Sequence, residues 1–121
     1  MANDTPTIQF RSSLMRVLIV HDSPRPCLGL ADALRSQAVV RMAHALGEIR
    51  EQIGVVARLG CLVCIPSNGM RAREVHEEAT RLGITPDRIV FADVEHLCDA
   101  EVLNTIRGVV IASDLQTRLA S

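Results

Sequence analysis

His21 and Asp22 stand side by side directly after the apolar run Arg16–Val20. An imidazole that titrates near neutral pH beside a carboxylate is the raw material of an acid–base pair. However, adjacent residues at a strand exit diverge, and no nucleophile is placed nearby to use them. Cys61 and Cys64 form a CxxC spacing that elsewhere marks a redox thiol pair or half a zinc site. Here they lie inside Cys61-Leu62-Val63-Cys64-Ile65, which reads as a buried strand. Residues three apart on a strand point to opposite faces, so both thiols are expected to serve as small buried hydrophobes. His44, His76 and His96 fall on helices or their ends and read as solvated. Glu77-Glu78 reads as a wet helix face. No metal or cofactor is expected. No phosphate-cradling glycine loop follows the first strand. With two Phe and no Trp or Tyr, nothing is available to stack on a flavin ring. All 13 basic residues are arginine, so chemistry that needs a lysine amine is excluded on this chain.

Any site must be positioned by the elements around these residues. Five short apolar runs alternate with helical patterns: 16–20, 39–43, 61–65, 88–92 and 108–112. Continuous rather than alternating hydrophobicity is what strands covered on both faces show; the more polar second run suits a sheet edge. Leu46, Ile49, Ile53 and Val56 recur at helical spacing, as do Ala72, Val75, Ala79 and Leu82 ahead of a capping Gly83. Leu97, Ala100, Leu103 and Ile106 form another stripe behind Asp93, a possible N-cap. Leu28 to Arg35 is a shorter first helix behind Pro24 and Pro26. A strand–helix repeat of this kind predicts a three-layer α/β sandwich of the flavodoxin-like type. Its five-stranded parallel sheet would run in the order 2-1-3-4-5, with helices on both faces. After the fifth run only Leu115–Ser121 remain, about two helical turns. Either the chain continues in a longer protein or part of that face is left for a partner.

The bulk composition agrees with one domain. The chain has 121 residues, 48% of them hydrophobic and 22% charged, with a formal net charge of -1. No basic footprint argues for nucleic acid. No apolar run approaches the roughly 18 residues of a membrane span, and the polar start lacks the pattern of a signal sequence, so a cytoplasmic protein is expected. Residues 1–14 read as a flexible lead-in, and 15–121 as the domain, with a shortened last helix.

The segment Arg16-Val17-Leu18-Ile19-Val20-His21-Asp22-Ser23-Pro24, followed by Leu28-Gly29-Leu30-Ala31-Asp32-Ala33-Leu34, resembles the opening of response-regulator receiver domains, most closely the nitrate/nitrite-regulator type. The likeness extends from about Met15 to Leu115 in element order and length. In that family an acidic pair ending the first strand holds magnesium, and it falls here on His21 and Asp22. The phosphate-accepting aspartate falls on Pro66. The hydroxyl residue ending the fourth strand falls on Ala92, and the lysine ending the fifth falls on Ala112. The resemblance thus implies a pseudo-receiver: no acyl phosphate without the aspartate, and weakened magnesium binding with one carboxylate of two. The hydroxyl and ammonium that couple phosphorylation to a shape change are also missing.

What the resemblance implies about function is a non-enzymatic, phosphorylation-independent regulatory module that works through protein contact. Family members commonly dimerise through the fourth helix, fifth strand and fifth helix. That places the candidate interaction face between Glu95 and Leu119, with Glu95, His96, Val102, Arg107, Leu115 and Leu119 on it. Nucleic acid would be reached only through an output domain following Ser121, and membrane not at all. A second resemblance covers Gly60 to Leu115, which is similar to the nucleotide-sugar-binding half of two-lobed glycosyltransferases. It is carried by Leu82-Gly83-Ile84 and Asp87-Arg88-Ile89-Val90-Phe91. The acceptor lobe and a donor-binding glutamate motif have no counterpart in these residues.

Overall fold

The computed structural model describes residues 15–120; the lead-in expected over 1–14 lies outside the described residues. Eight regular elements follow one another: β1 (Arg16–Val20), α1 (Leu28–Leu34), β2 (Val39–Ala43), α2 (Leu46–Ile53), β3 (Leu59–Cys64), α3 (Ala72–Arg81), β4 (Ile89–Phe91) and α4 (Ala100–Ala120). The strands form one parallel sheet in the order β2-β1-β3-β4. This is α/β architecture compatible with a flavodoxin-like fold, carrying four strands in place of the five expected.

Burial explains the order. All six residues of β3 are buried, and only Arg16 of β1 is not, so these two strands sit in the middle. On one face Val17, Ile19, Cys61 and Val63 pack with Leu30, Ala31 and Leu34 of α1 and with Ile106 and Val110 of α4. On the other, Leu18, Val20, Leu62 and Cys64 pack with Ile49 and Ile53 of α2 and with Val75 and Ala79 of α3. α2 and α3 contribute stripes at the spacing read in the sequence, whereas of the third stripe Leu97 precedes α4 and Ala100 is exposed. Cys61 and Cys64 fall in opposite cores, which disposes of a shared thiol site.

Arginines tie down the amino ends of the strands. Arg16 Nη1 donates to the carbonyls of Gln52 (3.1 Å) and Ile53 (2.5 Å), the last turn of α2, where a cation meets the negative end of the helix dipole. A β-carbon on Gly54, which has φ +67°, would sit 2.5 Å from that same Nη1. Arg88 Nη1 reaches the carbonyl of Leu59 at 3.1 Å. At the end of α3, Gly83 adopts φ +90°, its N–H donates to Thr80 and that of Ile84 to Ala79. That is a Schellman cap closed by the buried Ile84.

The fifth expected strand, Gly108–Ala112, is helical. It lies in the middle of α4, which runs unbroken for 21 residues, and the last helix is accordingly long rather than shortened. Short apolar runs are ambiguous between a strand and a buried helix segment, and here the flanks decide. Val102, Leu103, Ile106, Val109, Val110 and Ser113 continue one helical stripe through the run, past Gly108 at its start and up to Asp114 after it. Asp93 caps a 3-10 turn (Val94–His96) instead of this helix. Asp114, inside the helix, pairs with Arg118 at 2.5 Å. No helix among the described residues is long and apolar enough to cross a membrane.

Gly108 is exposed within α4, and an added β-carbon there would meet nothing within 4 Å. Gly108→Ala is therefore expected to stabilise the fold by about 0.5–1 kcal/mol, read as a higher denaturation midpoint at constant m. A loss of stability would reject the helical assignment of this segment.

Candidate functional site

In open parallel sheets, ligands bind outside the carboxyl ends of the strands where the order reverses, here between β1 and β3. The chain brings His21, Asp22, Pro66 and Ala92 to that end, as the sequence predicts. Hydrogen bonds lock the exits together. The His21 N–H donates to Ala43 at 3.1 Å, that of Ile65 to Val20 at 3.0 Å, and that of Ala92 to Cys64 at 2.9 Å.

His21 is the hub. It is 6% exposed. Its Nδ1 lies 2.8 Å from the carbonyl of Ile65, which can only accept, so Nδ1 carries a proton. Its own carbonyl accepts from His44 Nδ1 at 2.9 Å, and the His44 main-chain N–H in turn donates to Glu48 Oε1 at 2.8 Å. One residue thus ties the exits of β1, β2 and β3. The remaining ring nitrogen, Nε2, faces Asp22 Oδ1 at 3.5 Å.

Asp22 is met from the other side by the turn after β3. Ser67 and Met70 exchange main-chain hydrogen bonds of 3.0 and 3.2 Å around Asn68-Gly69. A β-carbon on Gly69 would come within 2.7 Å of Asp22 Oδ2, so a larger residue there would displace the carboxylate from the turn. Ser67 Oγ is buried there with no hydrogen-bond partner. Cys27 completes the surroundings, its Sγ donating to the Ser23 carbonyl at 3.5 Å. Burial, and then the negative charge of Asp22, push this thiol above its ordinary range. A raised thiol is a poor nucleophile, so Cys27 beside Asp22 is not an activated cysteine.

Beside β4, Pro66, Phe91, Ala92 and Asp93 line an open depression. Asp93, Glu95 and His96 bring one potential metal-ligand atom each within 4.8 Å of one another. All three are exposed, and His96 Nδ1 lies 3.0 Å from Asp99 Oδ2. The spacing was visible in the sequence, but reading Asp93 as a helix cap concealed the 3-10 turn that gathers it.

Ala112 does not join the pocket. It is exposed on α4, next to Ser113, whose Oγ donates to Gly60 at 2.8 Å. Gly60 is near the amino end of β3, so Ala112 lies at the opposite end of the sheet. The six residues of the expected interaction face are dispersed as well. Glu95 and His96 are exposed on the 3-10 turn, while Val102 and Arg107 are partly buried against the body. Leu115 and Leu119 are 53% and 79% exposed at the far end of α4. With Ile111, 64% exposed, these two form a row at i, i+4 and i+8 that the fifth-strand reading had hidden.

Comparison of the chain with protein-family models, with curated proteins and with solved structures finds no match.

Two outcomes follow from this geometry. His21→Ala would orphan the Ile65 carbonyl and leave a void, lowering stability by about 2–3 kcal/mol in denaturant titrations. Burial pushes the Cys61 thiol up to about 12 and the Cys64 thiol up to about 11. The unfolded chain ionises these thiols first. Their contribution is therefore intact below the ordinary value of 9.0 and lost as pH rises through 11 and 12. Denaturation midpoints measured across this range should fall for the native sequence and stay flatter for Cys61→Ala/Cys64→Ala.

Proposed function

We propose that the chain is a phosphorylation-independent regulatory module of the pseudo-receiver kind, acting through contact with protein rather than through catalysis. The observation that carries this reading is the exit of β3. Pro66 offers no carboxylate there, and the neighbouring His21 ring is committed to the Ile65 carbonyl at 2.8 Å. A phosphoryl group finds no acceptor at the point where such a fold would hold one, and a divalent cation finds Asp22 alone of the expected acidic pair. The strand that would end in that family's lysine is not formed, since Gly108–Ala112 is helical, and the chain has no lysine.

The contact surface fits the exposed row Ile111, Leu115 and Leu119. A 21-residue helix is about 31 Å long, while the six residues of β3 span about 20 Å. The last turns of α4 therefore outrun the sheet they pack on, and their apolar side chains are left uncovered. Rows of this kind mark association surfaces when they are continuous. Antiparallel pairing of two such helices would bury the row on both copies.

Acetyl phosphate with magnesium is expected to add no mass to the protein, and Leu115→Glu to shift a dimer to a monomer in sedimentation equilibrium with the circular-dichroism spectrum unchanged. A stoichiometric phosphoryl adduct would refute the pseudo-receiver reading. A native chain that stays monomeric at high concentration would refute pairing through α4. Saturable binding of a sugar nucleotide in calorimetry would instead favour the glycosyltransferase likeness.

A further inference from the structure

A cavity of about 240 Å³ opens on the α1–α4 face, at a distance from the His21 crevice. Its origin lies in the mismatch of the two helices that cover that face. α1 has only seven residues, about 10 Å of helix, against 21 in α4. Beyond the end of α1 the chain turns into β2 through Gln37 and Ala38, leaving the middle of α4 without a helical neighbour. Leu34, Ala38, Val110 and the exposed Ile111 form the apolar walls, over the fully buried Val17. A cavity of about 150 Å³ with such walls stays dry and admits a benzene ring, so this one has room for a larger apolar group.

The polar groups on its rim are unequal. Arg107 lines one part, and its Nε donates to Gln37 Oε1 at 2.9 Å. No carboxylate pairs with this guanidinium among the described residues, so its delocalised charge has no counter-ion. Asp114 lines the cavity two turns further on, about 10 Å along the helix, and it is already neutralised by Arg118 at 2.5 Å. The site therefore has an apolar interior, one uncompensated cation, and one anion whose charge is spent. Half-buried guanidinium groups in such positions bind carboxylates through charge-assisted, often two-pronged, hydrogen bonds.

We propose that this cavity is a binding site for a small amphipathic carboxylate, its aliphatic chain against Ala38, Val110 and Ile111 and its headgroup on Arg107. The site uses no residue of the β3 exit and so does not depend on the pseudo-receiver reading, but it shares Ile111 with the exposed row on α4. Gln37 holds the Arg107 side chain over the opening through Nε and leaves the other donors for the ligand. Asp114 sets the polarity of the site: a cationic headgroup would have to compete with Arg118 for it.

The test uses the full chain and three probes with one tail: octanoate, 1-octanol and octylammonium. In amide-resolved NMR titrations, octanoate is expected to shift Ala38, Arg107 and Val110 saturably and leave Ile89 and Val90 in place. Octanol should bind the same residues about tenfold more weakly, the worth of one charge-assisted contact. Arg107→Gln should remove the preference for octanoate over octanol. Ala38→Leu, which fills the cavity from its wall, should weaken both probes, with thermal melting confirming that each variant folds. Absence of saturable shifts at these residues would overturn the proposal, as would a preference for octylammonium or an octanoate preference that survives Arg107→Gln.

Discussion

Complete burial of β3 is the constraint from which the rest of the architecture follows. A parallel strand with six consecutive buried residues must be covered above and below, because its main-chain groups are satisfied only in the plane of the sheet. Two helices on each face achieve that cover. The division into two cores, the separation of Cys61 from Cys64, and the length of α4 are all consequences. α4 lies across β3 on the side opposite α2 and α3, and Ser113 fastens it to the Gly60 carbonyl at 2.8 Å. That bond is buried on both ends, so it fixes which way the helix faces.

At the carboxyl end of the sheet the polar groups bond to one another. Where a folded crevice of this type has room for a ligand, this chain spends its polar groups on itself. His21 ties three strand exits, Gly69 yields to Asp22, and a two-residue turn covers what remains. One hydroxyl there, Ser67 Oγ, is buried without a hydrogen-bond partner. The fold gains rigidity at the place where relatives of its architecture place their chemistry.

How far the sequence disclosed this depended on whether neighbouring signals agreed. β1 was legible to the residue, because an apolar pentamer ends at His21-Asp22-Ser23-Pro24 and no helix can pass through that exit. The Schellman cap at Gly83 was legible for the same reason: periodicity stops where the glycine begins. The run Gly108–Ala112 misled because Val, Val and Ile suit a strand as well as a buried helix face, and only the stripe continuing from Ile106 to Ser113 separates the two. Of the site, the residues at the sheet's carboxyl end were identifiable from their positions. The bonding of His21 was not, since its partner, the Ile65 carbonyl, is 44 residues away and carries no sequence signature. The cavity beside Arg107 was invisible in principle, because it arises from the unequal lengths of two helices that only packing sets side by side.

Among the described residues, the two outer strands of the sheet are blunted by different means. β2 presents Arg41 at its centre, with alternate residues exposed, while β4 has only three residues, bracketed by Pro86 ahead of it and the exposed Asp93 after it. A charged side chain at one border and a strand too short to template a ladder at the other are both known deterrents to strand addition. The sheet therefore terminates itself. Molecules of this chain brought together at high concentration are steered away from stacking edge on edge into fibres, even with Phe91 standing half exposed on the shorter border.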